Sequence, residues 1–382
     1  MPALQPLIGH ESTRASLARA FHVGSLPRTM LFHGPAGVGK QRLALWLGQL
    51  LVCDSPETDG PCGRCPQCRQ AQNLEHPDIH WHFPLARPKG AGSPERLRAA
   101  LEKERAATLA ERRSSPLYPT WNPELRGIYV AAVQTIRAEA TKKPSSGPRQ
   151  IFVIGDAEWL VTQEASPEAA NALLKLLEEP PTGTSFVLTT SEPQKLLPTI
   201  RSRSTAVHLG RLAEDRVARF LVDATGCSTA AAGTAARLGS GAIGQALGYL
   251  EIDGGPGPLE KIRRDALSLM EAALDGSPGG VYGAGLVRSP AGGRALAPLL
   301  GELGCWLRDL AAVGSGVEDL VFNIDETARL GRLAAATAPE RIASAIDRVE
   351  EARWMAQGNV NPQLVVFGLI HELRQDLGVA SS

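Results

Sequence analysis

The stretch Gly34-Pro35-Ala36-Gly37-Val38-Gly39-Lys40-Gln41 constrains the fold more than any other part of the chain. It follows a short apolar run, Met30-Leu31-Phe32, and opens into a helical pattern from Gln41 to Leu51. Strand, glycine loop and helix, in that order, are the context of a phosphate-binding loop. The glycines let backbone N–H groups converge on phosphate oxygens, and the helix N-terminus adds a favourable dipole. Lys40 would reach the β- and γ-phosphates as a point charge. The plainer alternative, a glycine turn before an ordinary helix, is disfavoured by this full context. One position departs from the pattern. The residue after the lysine is normally Ser or Thr, whose hydroxyl ligates Mg²⁺, and here it is Gln41. The loop is suited to hold a phosphate and poorly equipped to hold the metal.

At 382 residues the chain has room for two or three domains. A formal net charge of zero provides no global basic field for nucleic acid, although a local patch remains open. No apolar run reaches transmembrane length, and residues 1–10 lack the regions of a signal peptide. The expectation is a cytoplasmic protein with no membrane partner. In that compartment its six cysteines would be metal ligands or free thiols, not disulfides.

Four of those cysteines, Cys53, Cys62, Cys65 and Cys68, fall in the pattern C-x8-C-x2-C-x2-C. Thiolates on such a knuckle can close a tetrahedron around Zn²⁺, and four protein ligands leave no open position, so the site would be structural. A redox pair fits less well, because no first strand of a thioredoxin pattern precedes it. Cys227 and Cys305 stand alone and read as buried small hydrophobes. His76 to Phe83 reads as a strand with Ile79, Trp81 and Phe83 on one face and His80 and His82 on a polar one. Residues 84–125 are irregular, with prolines bracketing a charged helix from Glu95 to Arg113. That helix reads as a solvated face, with a nucleic-acid or partner contact as the sharper alternative.

Ile151-Phe152-Val153-Ile154 runs into Asp156, the Walker B arrangement, whose aspartate holds Mg²⁺ in P-loop enzymes. The alternative for Asp156 is a helix N-cap. The position after it, normally a glutamate that polarises water, is Ala157, and Glu158 falls where the chain is expected to bend away. Helix Ala169–Glu179, strand Phe186–Thr190 and strand Thr205–Leu209 complete an alternation that specifies a parallel sheet covered on both faces.

The glycine loop, the cysteine knuckle, Asn171-Ala172-Leu173-Leu174-Lys175-Leu176-Leu177-Glu178-Glu179-Pro180-Pro181 and Thr199-Ile200-Arg201-Ser202-Arg203-Ser204 occur in this order. Together they resemble the bacterial DNA polymerase III clamp-loader family of AAA+ proteins, and within it the delta-prime branch more than the gamma/tau motor branch. The resemblance covers essentially residues 5–210, with a looser match at Asn359-Val360-Asn361-Pro362-Gln363-Leu364. It implies an AAA+ P-loop domain over 1–209 with a zinc module at 53–68, a helical lid over 210–253 and an all-helical collar over 254–382. Gly34, Gly37, Gly39, Lys40, Gln41, Asp156 and Thr190 then match a nucleotide site, Thr190 lying near the polar sensor. Arg203, in Ser202-Arg203-Ser204, matches an arginine finger that acts on a neighbouring subunit's ATP. Gly239 to Leu247 matches the start of the second-sensor helix but lacks a motor subunit's arginine. What the resemblance implies is a subunit whose P-loop is either empty or binds ATP or ADP without turning it over. Its implied partners are gamma/tau and delta subunits in a hetero-pentamer, the sliding clamp, and primed DNA through the complex. The rivals are an active gamma/tau-like ATPase, or an adaptor whose 87–113 segment binds DNA directly. Beyond the linker Asp253-Gly254-Gly255-Pro256-Gly257-Pro258, helical runs at 259–275, 295–312, 324–336, 339–357 and 362–377 suggest a bundle, with the glycine-rich 276–293 as a connection.

Overall fold

The computed structural model describes residues 4, 7–90, 92–115, 117, 126–160, 168–252, 254–275, 293–335, 337–356 and 361–377. The expected connection at 276–293, apart from its last residue, and Asn359-Val360 of the collar match lie outside the described residues.

Packing divides the chain into two compact units. The first runs to Ala213 and takes in Gly241–Gly244; the second holds Glu214–Ser240 and the described residues from Gln245 onward. The first unit is built on a five-stranded sheet ordered β2-β5-β6-β1-β7, with β1 Thr29–His33, β2 Ile79–His82, β5 Gln150–Ile154, β6 Thr184–Thr190 and β7 Thr205–His208. Every pairing is parallel. The period of two sends alternate residues to opposite faces. Met30 and Phe32 therefore join Ile151, Val153 and Val187 on one face, under α1 (Glu11–His22), α2 (Lys40–Val52) and α4 (Pro94–Ser114). Leu31 joins Phe152, Ile154, Phe186 and Leu188 on the other, under α5 (Val130–Ala140), α6 (Glu168–Glu178) and α7 (Pro198–Ser202). Burial on both faces is why β1 and β5 read as unbroken apolar runs.

The histidine face of β2 is not a solvent face. His80 stacks on Phe152 at 4.3 Å between ring centroids, and His82 is 3% exposed. The alternation placed the side chains on the right faces, but a helix layer covers both. Burial holds both imidazoles below their ordinary value, with Arg105 adding to the effect. A two-stranded antiparallel ribbon, β3 (Leu85–Ala86) with β4 (Arg126–Gly127), closes the neck of the 84–125 insertion. The short helix α3 (Pro66–Gln72) carries the cysteine knuckle.

Among the described residues, the regular elements of the second unit are all helices, apart from one isolated antiparallel bridge between Ile252 and Gly255. The unit comprises α8 (Glu214–Thr225), α9 (Thr229–Leu238), the end of α10 (Ile243–Gly248), α11 (Pro258–Asp275), α12 (Gly293–Gly314), α13 (Thr327–Ala335), α14 (Pro339–Met355) and α15 (Pro362–Leu377). Met270, Leu303, Leu307, Val349, Leu369 and Leu373 anchor its core. One buried cation is paired inside it: Arg263 meets Glu260 at 3.0 Å and Asp325 at 2.6 Å, and its Nε donates to Asn323 Oδ1 at 2.6 Å. Cys227 and Cys305 are only half-buried, so neither is the small core residue that isolation in sequence suggested. Among the described residues no helix is long and apolar enough to cross a membrane.

Candidate functional site

The glycine loop joins β1 to α2 at the C-terminal edge of the sheet. Gly34 sits at φ 145°, and a Cβ there would lie 2.1 Å from the Leu209 carbonyl oxygen, so only glycine fits. Gly39, at φ 101°, turns the chain into α2. Lys40 is the first residue of that helix and is 5% exposed. Its Nζ donates to the carbonyls of Gly34 at 2.9 Å and Pro35 at 2.8 Å, and to Ser191 Oγ at 2.9 Å. Burial lowers its pKa, while Asp156 and Glu158 pull it back up. The loop is pinned from outside as well. The Gly244 N–H donates to Gly37 O at 2.9 Å, and His10 Nε2 lies 2.8 Å from Val38 O.

Asp156 lies just past β5 with a left-handed backbone, φ 49°. Its own N–H donates to Thr189 Oγ1 at 3.1 Å. Its carboxylate does not cap a helix. Gln41 Nε2 donates to Asp156 Oδ2 at 3.0 Å, and Gln41 Oε1 accepts from Trp81 Nε1 at 2.9 Å. Gly155 leaves the space Gln41 occupies, since a Cβ there would fall 2.4 Å from Gln41 Oε1. From the insertion, the Arg112 guanidinium lies 4.2 Å from the Trp81 ring centroid and 3.8 Å from that of Phe83. Burial raises the Asp156 carboxyl, opposed by Lys40, Arg112 and the Gln41 hydrogen bond. Burial also brings Arg112 down to about 10, with Asp156 opposing.

Glu158 does not bend away. It is 5% exposed, and its Oε1 accepts from the Ser191 N–H at 3.1 Å. Burial and the neighbouring Asp156 raise its pKa. The short helical turn Ala157–Leu160 swings Glu158 back beneath the end of β6, beside the residue that receives Lys40. Thr190 directs its hydroxyl to the Glu192 N–H at 3.0 Å. Its two neighbours make the contacts described for Asp156 and Lys40.

A divalent cation does not fit this donor set. The position that should offer a hydroxyl oxygen offers an amide N–H aimed at the aspartate, and two cationic side chains already act on that carboxylate.

The four thiols fit a metal. The Sγ atoms of Cys53, Cys62, Cys65 and Cys68 lie within 4.8 Å of one another, Cys62 and Cys68 at 4.0 Å. Thiolates at the usual zinc distance stand about 3.8 Å apart in a tetrahedron, so a small contraction suffices. Backbone N–H groups already point at sulfur, Cys62 N to Cys53 Sγ and Cys68 N to Cys65 Sγ, each at 3.4 Å. N–H groups of Arg64 and Cys65 bring the Cys62 thiol down to about 6, whereas burial raises those of Cys53 and Cys68. The knuckle is tied to β2 through His76 Nε2, 2.8 Å from Gln67 Oε1.

Arg203 ends α7, just ahead of β7, at the N-terminal edge of the sheet. It pairs with Glu178 at 3.3 Å and lines an open cleft of about 530 Å³ with Arg28, Thr29 and Glu179. β1 and β7 run parallel, with Met30 beside Thr205 and His33 beside His208. A five-residue strand spans about 16 Å. Arg203 and the glycine loop of the same chain therefore face opposite edges.

The structure thus gathers Lys40, Gln41, Asp156 and, less directly, Thr190 at one edge, leaves Arg203 at the other, and closes the four cysteines into a separate cluster. Trp81, Arg112, Thr189 and Ser191 join the site without having been singled out. For Thr189 and Ser191 the signal was available, as polar residues ending a buried strand. For Arg112, one of many charges on a helix, no sequence signal existed.

A family model described as DNA polymerase III, delta subunit matches residues 9–213. The delta-prime subunit of Escherichia coli K12 DNA polymerase III is 28% identical over 237 residues, 62% of this chain and 58% of that protein. That of Pseudomonas aeruginosa is 33% identical over 174 residues, 45% of this chain and 40% of that protein. The gamma/tau subunit of Mycobacterium tuberculosis H37Rv is 29% identical over 198 residues, 52% of this chain and 27% of that protein. The matched regions thus span less than two thirds of each of these relatives.

Proposed function

Because the chain belongs to the DNA polymerase III delta-subunit family, as a delta-prime-type clamp-loader subunit, we propose that it completes a neighbour's ATPase site without working one of its own. The observation that carries this reading is the placement of Arg203 at the sheet edge opposite its own glycine loop, where it has no route to a phosphate held by Lys40. An arginine so placed serves a nucleotide bound by another subunit. There it would stabilise charge on the transferred phosphoryl group, an effect worth about 10³- to 10⁵-fold in rate.

The chain's own site is disarmed at three points. Gln41 replaces the metal-binding hydroxyl, Ala157 replaces the carboxylate that would polarise water, and Gly241–Gly244 meets the loop with backbone and no arginine. Glu158 is turned into the site, but its carboxylate is engaged by the Ser191 N–H and raised by burial, which suits holding the β6 end more than activating water. Cys53, Cys62, Cys65 and Cys68 would hold Zn²⁺ as a structural staple for a knuckle without a core of its own. Residues 210–253 would act as the lid and the helices from Pro258 as the collar that joins gamma/tau and delta partners; through that assembly the chain would help place the clamp on primed DNA.

The test is reconstitution of gamma/tau-type motor subunits with this chain, clamp and primed DNA, comparing wild type with Arg203→Ala. Normal assembly with a steep loss of hydrolysis at the completed site is the expected result. Unchanged hydrolysis, together with turnover by the isolated chain that Lys40→Ala abolishes, would show instead a motor subunit.

A further inference from the structure

The insertion between β3 and β4 ends its long helix over the metal side of the nucleotide site. Leu97, Leu101 and Leu109 seat α4 on the same core as α2 and Trp81. Arg105, a turn or two earlier, donates to the Trp81 carbonyl at 3.4 Å and pairs with Glu102 at 2.8 Å. These contacts fix the last turns of α4 and bring Arg112 over the paired rings of Trp81 and Phe83.

Gln41 thus touches Asp156 directly, and Arg112 stands on the same Trp81 ring whose indole N–H holds Gln41, close enough for its charge to act on the Asp156 carboxylate. Gln41 supplies a neutral N–H to Oδ2, and its other end is fixed by the Trp81 indole. Arg112 supplies full positive charge, held by two aromatic faces on that same side. A divalent cation at such a carboxylate contributes positive charge and fixed geometry. Here the geometry comes from Gln41 and the charge from Arg112.

We propose that the α4 insertion is an internal substitute for the divalent metal: Arg112, positioned by Trp81 and Phe83, works with Gln41 to hold Asp156 and to exclude Mg²⁺ and related cations from the site. This rests on the reading of Asp156 as the Walker B residue. Arg112 is a positioning residue in this scheme. It touches no substrate, and its part is to neutralise and hold a carboxylate. The insertion thereby acquires a role that needs no contact with DNA.

The experiment uses the full chain with its cysteine cluster loaded with zinc and Mn²⁺ as the probe, bound ion being counted by electron paramagnetic resonance with and without ADP. Wild type, Arg112→Ala, Arg112→Lys, Gln41→Ser and the Gln41→Ser/Arg112→Ala double variant are compared, each first checked for native circular dichroism. Wild type is expected to take up no Mn²⁺ at this site. The double variant should gain one equivalent, lost again when Asp156→Asn is added. Arg112→Lys keeps the charge but not the flat stacking face, and should fall between wild type and Arg112→Ala. An Asp156-dependent equivalent of Mn²⁺ in wild type would overturn the proposal. So would a folded double variant that gains none. Arg203→Ala must leave uptake unchanged in every background, which keeps this result separate from that of the reconstituted ATPase.

Discussion

Gly155→Ala tests the Gln41 bridge without touching a charged group. A Cβ on Gly155 would lie 2.4 Å from Gln41 Oε1, 2.6 Å from Cδ and 2.9 Å from Nε2. Ordinary contact begins near 3.5 Å, so the amide must retreat by about an ångström. Most side-chain ends could do so cheaply. This one is held by Trp81 on one oxygen and by Asp156 on the nitrogen, at 2.9 and 3.0 Å, and neither bond survives such a displacement. Losing a neutral hydrogen bond costs about 1 kcal/mol and a charge-assisted one about 1.5–3 kcal/mol. Gly155→Ala should therefore destabilise the first unit by about 2–4 kcal/mol. Gln41→Ala loses the same two bonds and removes the collision. In that background Gly155→Ala should cost little, because Gly155 is not among the residues with positive φ. The two changes are then strongly non-additive, with a coupling of about 2–3 kcal/mol, at the upper end for residues in one network. Urea unfolding of the full chain and both single and double variants measures this. Effects that add within about 0.5 kcal/mol would refute the bridge.

Stripping the metal from the cysteine cluster, or Cys65→Ser, should destabilise the chain by more than about 2 kcal/mol, read by melting with and without chelator. Metal-free protein of unchanged stability would count against the staple. Stability should fall as pH drops below about 6.5, because burial depresses the folded-state pKa of His82 and His80. Their contribution is fully present above the free imidazole value and is lost on the acid side. Asp156 and Glu158, raised in the fold, work in the opposite sense: their contribution is present at low pH and lost as pH rises through their folded values. His82→Gln should flatten the acid limb of a urea-midpoint profile; an unaltered limb would mean the imidazole is not the group responsible. Gly244→Ala puts a Cβ 3.0 Å from Gly37 Cα and 3.2 Å from Gly37 O, and should cost about 1–3 kcal/mol by overpacking, with exchange of the Gly244 N–H accelerated.

Much of this architecture is written in local pattern. Met30-Leu31-Phe32 and Ile151-Phe152-Val153-Ile154 are legible as buried parallel strands because both faces are apolar, and the prolines that open α4, α14 and α15 mark those helix starts. The cysteine cluster is legible because its ligands lie close in sequence. Glu158 was misplaced because a single helical turn reverses the direction that strand geometry would assign. The histidine face of β2 was read as polar because alternation reports which side a residue faces and says nothing of what covers that side. Arg112 was invisible for a different reason. Its role depends on where a long insertion returns to the sheet, and no spacing rule encodes that.

A parallel sheet has a direction, and this chain places different chemistry at its two ends: Arg203 ahead of β7, the glycine loop after β1. Two subunits meeting through those ends cannot be related by a two-fold axis; their contact is heterologous, and repeated addition closes a ring or climbs as a screw. If Arg203 serves a neighbour's nucleotide as proposed, a member with that donor and a disabled acceptor would impose a polarity on such an assembly. On one side of it would lie a functioning junction, on the other a mute one, so under the proposed function a single chain of this kind would mark where the series of working sites stops.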